Sequence, residues 1–278
     1  MPAPAKSVYV CKVGGSVLEG VHPTIVDNIS AILARGEGVV LVHGGGDYVT
    51  QVAEKLGKKQ LFVTSPEGIR SRYTDRETAE IYTMVMSGLL AKKIATMLQS
   101  KGVACVSLSG VDNGIIRAER KKRLVIQDER GRKVVIEGGY TGRITSVNTH
   151  LLQYLLEQGI VPVVSPIALG EEYELLNVDS DRACASIAGA IGAKCALFLT
   201  DMEGVQLDGE LIRTVDPEEA RRLLPKIGSG MDVKLLAAAE AVEKGAAMSV
   251  ISSGLKENPI DAALKGEGTV VRPRTPTS

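Results

Sequence analysis

Residues 8–17 read VYVCKVGGSV, an apolar run that ends in a lysine and two adjacent glycines. A second stretch of the same form, VVLVHGGG at residues 39–46, ends in three glycines. In an open parallel sheet, ligands lie at the carboxyl ends of the strands, where glycine lets backbone N–H groups approach phosphate oxygens closely. The two stretches therefore favour an α/β sheet with a phosphate site built from two strand ends.

The order of residues in the first stretch is unusual for a phosphate loop. In a P-loop the lysine follows the glycines and stands directly before Ser or Thr, whereas Lys12 precedes Gly14 and Gly15. The lysine therefore belongs to the strand itself, and it reaches a phosphate from a different direction.

Composition narrows the possible functions. The 278 residues are 44% hydrophobic, and 33 basic side chains balance 33 acidic ones. No overall charge attracts the chain to nucleic acid or to an anionic membrane. The longest apolar stretches have the length of strands, and the first dozen residues lack the order of a signal peptide, so we expect a cytoplasmic protein.

No transition-metal site is expected from the cysteines and histidines. The four cysteines, Cys11, Cys105, Cys184 and Cys195, stand singly in apolar surroundings without C-x-x-C spacing. The three histidines are far apart and show no ligand spacing. Small buried apolar side chains are the simpler interpretation of the cysteines.

Short apolar runs alternate with helical patterns along most of the chain. The pattern predicts strands at residues 7–13, 38–43, 103–108, 160–165, 195–200 and 247–252. Helices are predicted to begin at Thr74, with Thr74 and Glu77 as a capping box, near Asp181, and near Met231. This alternation predicts a three-layer αβα sandwich around a largely parallel open sheet.

Residues 123–137, RLVIQDERGRKVVIE, interrupt this alternation. They read as two strands around a polar turn, so we expect a β-hairpin that projects from the main sheet. Residues 117–133 contain eight basic and three acidic side chains. From the residues alone, this segment is either a solvated hairpin or a surface that binds an acidic partner.

Two further stretches carry polar groups next to predicted helices. In LLNVDSD, residues 175–181, Asp181 could serve only as a helix N-cap. Alternatively, Asn177, Asp179 and Asp181 form a polar row that contacts a substrate or positions lysines. In GSGMDVK, residues 228–234, Lys234 falls in the first turn of a helix behind a glycine loop.

The stretches KVGGSV, VHGGG, LLNVDSD, FLTDMEG and GMDVK, in this order, resemble the amino acid kinase family and, within it, the acetylglutamate kinase branch. The resemblance covers residues 7–272. It is nearest to the kinases of carrier-dependent lysine and arginine biosynthesis, on SRYTDRET from Ser71, GGYTG from Gly138, and aspartate at Asp179 where classical acetylglutamate kinases have asparagine.

The resemblance implies roles for individual residues. Lys12 and Lys234 would contact the transferring phosphoryl group, and Asp181 would hold both lysines. The residues implied for nucleotide and phosphate binding are Gly14, Gly15, Ser16, Thr200, Asp201, Gly204, Lys226, Gly228 and Met231. Those implied for acceptor binding are Gly45, Gly46, Arg72, Asn177 and Asp179.

The resemblance also implies the reaction. The side-chain carboxylate of aminoadipate or glutamate, whose amino group is held by a small acidic carrier protein, LysW, would be phosphorylated by ATP with Mg²⁺. A carboxylate with a free pKa of about 4.3 is already ionised near pH 7, so no general base is needed. The alternatives are a classical N-acetylglutamate kinase, which uses a free acceptor, and a non-catalytic nucleotide-binding member of the fold.

Three further expectations follow from the resemblance. The carrier would dock on the basic residues Arg120, Lys121, Lys122, Arg123, Arg132 and Lys133. Residues 1–176 would form a lobe that binds the acceptor and the phosphates, and residues 177–278 a lobe that binds the nucleotide, both on one continuous sheet. The few residues before the first strand point to a homodimer rather than an arginine-inhibited hexamer. Neither the choice between aminoadipate and glutamate nor the pathway served follows from the sequence.

Overall fold

The computed structural model describes residues 7–15, 23–66, 68, 70–128 and 130–274. The chain first forms β1 (Val8–Val13), α1 (Thr24–Ala34), β2 (Gly38–His43), α2 (Gly46–Lys55), β3 (Leu61–Thr64), β4 (Arg70–Tyr73), α3 (Arg76–Thr83), a π-helical segment (Met84–Leu90), α4 (Ala91–Gln99) and β5 (Cys105–Ser109). It continues with β6 (Ile116–Arg120), β7 (Arg123–Gln127), β8 (Lys133–Glu137), β9 (Gly142–Val147), α5 (His150–Glu157), β10 (Val161–Ser165), β11 (Ile167–Gly170) and β12 (Leu175–Asn177).

The last third of the described chain returns to the main sheet. Its elements are α6 (Ser180–Ile191), β13 (Cys195–Thr200), β14 (Gln206–Leu207), β15 (Glu210–Leu211), β16 (Thr214–Val215), α7 (Pro217–Leu223), α8 (Met231–Glu243), β17 (Ser249–Ser253), α9 (Pro259–Leu264) and β18 (Thr269–Val271). The six predicted strands of the main sheet are confirmed, with ends that differ by no more than two residues.

Eight strands form the main sheet, in the order β16-β18-β17-β13-β1-β2-β10-β5. All neighbouring pairs are parallel except β17 and β18, which are antiparallel. β1 lies in the middle, with β2 on one side and β13 on the other. The carboxyl ends of β1, β2 and β13 therefore lie side by side, where ligands bind in sheets of this type.

Alternate residues of the central strands enter two separate cores. Val10 and Val40 pack into a cluster that includes α6 and α8, and Cys11 and Leu41 pack on the other face with α1, α4 and α9. Each side chain is at most 2% exposed. Burial of such a side chain contributes about 1.5–3 kcal/mol. The two covered faces confirm the three-layer αβα sandwich.

Smaller sheets lie outside the main one. β7 and β8 pair antiparallel, which confirms the predicted hairpin at residues 123–137. Three further sheets were not predicted: the pair β3–β4, the short pair β14–β15 and a four-stranded sheet in the order β12-β11-β6-β9. The four-stranded sheet connects the base of the hairpin to the segment that leads into α6.

The predicted capping box at Thr74 is wrong. The N-cap of α3 is Asp75, whose carboxylate accepts a hydrogen bond from the backbone N–H of Thr78 (2.8 Å). Thr74 is fully buried, and its carbonyl accepts a hydrogen bond from the N–H of Tyr140. Because the 138–142 turn holds Thr74, the helix begins one residue later with the neighbouring aspartate as its cap.

The helical run 76–99 comprises α3, the π-helical segment and α4. Its 24 residues, with a mean hydropathy of 1.2 in the most apolar window, are long and apolar enough to cross a membrane, but half of that window is buried inside the protein. Val85, Met86 and Leu90 are at most 2% exposed and pack against α2 and β11. This packing is typical of a core helix in a globular domain.

Candidate active site

Three charged side chains meet at the carboxyl end of β1. The Nζ atom of Lys12 lies 2.9 Å from one carboxylate oxygen of Asp181, and the Nζ atom of Lys234 lies 3.5 Å from the other. The Lys12 and Asp181 side chains are 6% exposed and the Lys234 side chain 20%. Lys12, Asp181 and Lys234, called the lysine centre below, are 53 residues or more apart in sequence and meet only in the fold.

Different elements fix each member of the lysine centre. Lys12 is held in β1 between β2 and β13, Asp181 lies in the first turn of α6, and Lys234 lies in the first turn of α8. Of the two interpretations of Asp181, the N-cap is wrong, because Asp179 caps α6 by accepting from the N–H of Arg182 (2.8 Å). Because Asp179 serves as the cap, Asp181 is free to contact Lys12 and Lys234.

The charges of the lysine centre stabilise one another. Burial alone would raise the pKa of Asp181, but Lys12 and Lys234 hold it below its ordinary value. Burial would lower the pKa of Lys12, and Asp181 raises it above the ordinary value instead. Lys12 and Asp181 therefore stay charged near neutral pH, and together with the ammonium group of Lys234 they give the centre a formal net charge of about +1 for an anion.

The two predicted glycine loops touch each other beside the lysine centre. A Cβ atom on Gly15 would lie 2.8 Å from the Cα of Gly45, which is closer than real Cβ atoms approach, and Gly45 itself has a φ of 150°. The N–H of Gly44 donates to the carbonyl of Val13 (2.9 Å). α2 begins at Gly46 without a side-chain cap, so its first N–H groups are available to an anion. Ser16, predicted with these glycines, lies outside the described residues.

His43 connects the second glycine loop to the helical run behind it. Its Nδ1 lies 3.0 Å from the carbonyl of Gly44, so this nitrogen carries the proton. Its Nε2 lies 2.9 Å from the hydroxyl of Ser165, which also lies 3.3 Å from the carbonyl of Met86 in the π-helical segment. Burial lowers the pKa of His43 to about 4. The neutral imidazole therefore connects the second glycine loop to Ser165 and, through the serine hydroxyl, to the π-helical segment.

A cavity of about 450 Å³ opens next to Lys234. Five other residues predicted for the nucleotide line it: Thr200, Asp201, Gly204, Gly228 and Met231. Gly204 has a φ of 157°, and a Cβ there would lie 2.7 Å from the side chain of Leu211. Lys226 lies in the 3₁₀ turn just before this lining and is not part of it. The cavity has the size and position of a nucleotide site.

On the opposite side of the glycine loops, Arg72 reaches toward Gly46. Its Nη2 donates to the carbonyl of Gly46 (2.7 Å) and to the hydroxyl of Thr50 (2.9 Å), and its Nη1 donates to Gln60. The guanidinium group stacks on the ring of Phe62, 5.0 Å from the ring centre. Since the group has five N–H donors, two remain for a ligand such as a carboxylate.

The other predicted acceptor residues lie on the short path from β12 to α6. The side-chain amide of Asn177 donates to the hydroxyl of Thr74 (3.0 Å). Loss of water around its carboxylate and the charge of Asp181 raise the pKa of Asp179, although the residue as a whole remains exposed. The buried ring of Tyr82 is close enough to both Asp179 and Arg72 for their charges to act on its hydroxyl. The expected polar row of three residues is wrong in part, because each side chain has a different orientation and partner.

The six predicted docking residues are not equivalent. Arg120 folds inward: its Nε donates to the carbonyl of Gly139 (2.5 Å), and its guanidinium stacks 4.2 Å from the ring centre of Tyr140. The other five, Lys121, Lys122, Arg123, Arg132 and Lys133, are exposed. Arg120 therefore fixes the base of the hairpin, and the exposed five carry its surface charge.

Several residues at these sites had not been singled out from the sequence. They are Thr50, Gln60 and Phe62 around Arg72, Tyr82 beside Asp179, Ser165 behind His43, and Met202, Gln206, Ser229 and Gly230 in the cavity wall. The only local signal for these residues in the sequence is the glycine-rich run 228–230, in which Ser229 also lines the cavity. The described residues contain no group of three or more His, Cys, Asp or Glu side chains that could hold a metal.

A lysine-rich centre between a nucleotide-sized cavity and an arginine defines a phosphotransferase site on an α/β sheet. The family model of the amino acid kinase family matches residues 7–252 of this chain. The chain therefore belongs to the amino acid kinase family, as the sequence motifs predict.

Close relatives carry a specific name. The [LysW]-aminoadipate/[LysW]-glutamate kinase of Saccharolobus solfataricus is 47% identical over 265 residues, which cover 95% of this chain and 99% of the relative. The protein of the same name from Saccharolobus islandicus is 45% identical with the same coverage. A protein of Cenarchaeum symbiosum, also named for these two LysW-linked substrates, is 57% identical over 260 residues, 94% of this chain and 97% of its own.

Solved structures share the fold at lower identity. N-acetylglutamate synthase from Neisseria gonorrhoeae, in complex with coenzyme A and N-acetyl-glutamate, aligns with a TM-score of 0.79 and 22% identity over 97% of this chain and 60% of its own. Carbamate kinase from Giardia lamblia bound to AMP-PNP aligns with a TM-score of 0.68 and 14% identity over 97% and 99%. Both are similar in fold.

Proposed function

We propose that this protein phosphorylates the side-chain carboxylate of aminoadipate or glutamate while the amino group of that acceptor is held by a LysW-type carrier protein. The observation that carries the proposal is the position of the lysine centre, between the cavity beside Lys234 and the free donors of Arg72. The relatives' names supply the acceptor and the carrier. The product is an acyl phosphate in lysine or arginine biosynthesis.

The residues at the site suit a reaction between two anions. The carboxylate nucleophile needs no proton removed, so the main barrier is its repulsion by the γ-phosphoryl group. Lys12 and Lys234 supply positive charge from opposite sides, and the N–H groups near Gly15 and Gly45 supply further donors. Asp181 holds both ammonium groups before substrate arrives, so little reorganisation is required during the reaction.

ATP fits the cavity by size and by its position next to Lys234. The residues proposed to hold the nucleotide are Thr200, Asp201, Gly204, Gly228 and Met231, with Lys226 at the entrance. Mg²⁺ bound with the nucleotide would neutralise phosphate charge and would need few protein ligands. Arg72, Asn177 and Asp179 are proposed to orient the acceptor.

The exposed basic side chains of the hairpin are proposed to dock the acidic carrier. Complementary charge raises the association rate and fixes the orientation of the partner. A free N-acetylated acceptor has no use for such a surface, which is why the classical N-acetylglutamate kinase activity is not favoured.

The test compares two acceptors with ATP and Mg²⁺, and traps the acyl phosphate as a hydroxamate. The expected result is that carrier-linked aminoadipate or glutamate gives a kcat/KM at least about 100-fold above that of free N-acetylglutamate, which lacks the carrier contacts. A comparable kcat/KM on the free compound would contradict the carrier-linked acceptor. Absence of phosphorylation with every acceptor would favour the non-catalytic alternative.

Further parts of the proposal concern organisation. We propose that residues 1–176 serve the acceptor and residues 177–278 the nucleotide, on a sheet made continuous by the pairing of β1 with β13. A homodimer in the cytoplasm is proposed as the working form. Exposed Met84, Leu89 and Val106 lie on neighbouring elements at the β5 edge of the sheet and support a contact between two copies there. Sedimentation at working concentration tests the dimer.

A further inference from the structure

We infer that Lys121, Arg143 and Arg182 form a second carboxylate-binding subsite, which takes a carboxylate located in the acyl group on the acceptor's amino nitrogen. The inference rests on the proposed function, because it assumes an N-acylated dicarboxylic amino acid as the acceptor. It separates Lys121 from the docking surface and assigns it to recognition of the acceptor itself.

The backbone places Lys121 beside the acceptor site. Its N–H donates to the carbonyl of Thr141 (2.9 Å), and Thr141 forms a parallel bridge with Asn177. Neighbouring backbones in such pairs lie about 5 Å apart, so the Cα of Lys121 is on the order of 10 Å from that of Asn177. A lysine side chain spans much of that distance. The other residues at this point, Asp179 and Arg182, follow directly along the chain.

Three cations gather at this point. Arg143 is on β9, opposite Glu119 of β6, and Arg182 is in the first turn of α6. Burial of its ammonium group lowers the pKa of Lys121, the charges of Arg182 and Arg143 lower it further, and Asp179 opposes the effect. The residue as a whole remains exposed, so solvent and ligands reach it.

Lys121 lacks the ionic partner that its neighbours have. Arg143 pairs with Glu119, and Arg182 lies 3.4 Å from Glu240. Among the described residues, no carboxylate lies within 4 Å of the Nζ atom of Lys121. Asp179 is an acidic group whose charge acts on Lys121, and its side chain already serves as the cap of α6. A cation surrounded by like charges and without a counter-ion favours an anionic ligand.

The chemistry of the acceptor supplies that anion. The reacting carboxylate belongs at the lysine centre, and the α-carboxylate is matched by Arg72. A third carboxylate is present only when the acyl group is itself acidic. A carrier residue can have two carboxyl groups. If one of them forms the amide, the other stays free, a few bonds from the linkage. An N-acetyl group has no such charge.

The test measures binding by calorimetry in the presence of AMP-PNP, with two small ligands. One is N-glutarylglutamate, whose acyl group ends in a carboxylate, and the other is its isostere with a terminal carboxamide. The wild-type protein is expected to bind the carboxylate at least about 10-fold more tightly, the size of one charge-assisted hydrogen bond. Equal binding of the two ligands, or binding of neither, would overturn the inference.

Variants assign the preference to this site. Lys121→Met is expected to reduce binding of the carboxylate ligand to the level of the carboxamide, and Lys121→Arg, which keeps the charge, to retain the preference. Lys265→Met removes an exposed lysine at the end of α9 and serves as the matched control with the preference intact. A Lys121→Met variant that loses affinity equally for both ligands would also contradict the subsite. Failure of the proposed function appears separately, as absent phosphorylation of the carrier-linked acceptor.

Discussion

The lysine centre and the basic hairpin both present positive charge, but the fold supports them in opposite ways. The lysines and Asp181 are mostly buried, paired within 3.5 Å, and fixed by a central strand and two helix starts. The hairpin β7–β8 is a separate two-stranded sheet whose charges point to solvent. A buried charge in a rigid site interacts strongly with one bound group. An exposed charge contributes to the overall attraction of a partner protein and is screened by salt.

The largest effect is expected in the buried lysine centre. Lys12→Met removes one of the two cations that face the phosphoryl group, and kcat is expected to fall about 1,000-fold, as for the loss of a preorganised transition-state contact. The change is measured with the carrier-linked acceptor at saturating ATP. Lys265→Met is the control, and circular dichroism checks the fold. A variant with unchanged kcat would contradict the role given to the lysine centre.

The next effect concerns stability and pH near the glycine loop. The pKa of His43 is lowered from 6.5 to about 4 by burial, so the unfolded chain binds the proton more readily than the native protein. The contribution of His43 to the unfolding free energy is therefore complete above pH 6.5 and falls as the pH drops toward 4, by up to about 3 kcal/mol.

Urea unfolding from pH 7 to pH 4 measures this dependence, with His43→Asn compared at each pH. The wild-type protein should lose more stability than the variant across that interval, because the asparagine side chain of the variant does not titrate. Parallel curves for the two proteins would show that His43 is not held neutral by burial.

A smaller effect is expected where the two glycine loops meet. Gly45→Ala requires a side chain at φ 150° and places a Cβ atom against Leu90, so we expect a loss of about 1–3 kcal/mol in stability together with a lower kcat. Gly36→Ala is the matched control: its φ of 72° is also unfavourable, but its Cβ would meet no neighbour within 4 Å. Thermal unfolding measures the stability of both variants. Equal loss of kcat in both variants would contradict a special role of the Gly45 loop.

The smallest effect is expected in the exposed basic hairpin. Reversal of Arg123, Arg132 and Lys133 to glutamate should raise KM for the carrier-linked acceptor about 10-fold at low salt, with kcat and stability nearly unchanged. The difference from wild type should shrink as the salt concentration rises. KM for free N-acetylglutamate is the internal control. An unchanged KM for the carrier-linked acceptor would mean that the carrier docks elsewhere.

Six strands of the main sheet were predictable because they are largely apolar over five or six residues, and β1 and β2 also end in glycines. β16 and β18, with two and three residues, are too short for any pattern to show. β3 and β4 are also short, with four residues each, and they pair with each other beside the hairpin. β6 and β9, with five and six residues, are long enough, but charged and polar side chains interrupt their apolar residues, so their composition hid them.

The site was predictable where a motif holds the residue, as with Lys12, Asp181 and Lys234. The supporting contacts were not, because they join distant parts of the chain: His43 and Ser165 are 122 residues apart, and Asn177 and Thr74 are 103 apart. The cap of α3 was misplaced by one residue, and Asp179 rather than Asp181, for which a cap was one of two interpretations, caps α6. At both helix starts, two neighbouring polar residues have side chains suited to an N-cap. Only tertiary contacts decide which of the two becomes the cap.

The glycines at the foot of the hairpin have a practical consequence for engineering. Any side chain on Gly138 would collide with the backbone of Lys121, and one on Gly139 with that of Thr74, so the base of the hairpin has a fixed position. Beyond that base, the residues of 122–137 that the structure describes form no strand of the main sheet. This segment is therefore a cassette: exchanging it between relatives should transfer partner choice while the catalytic machinery is left untouched.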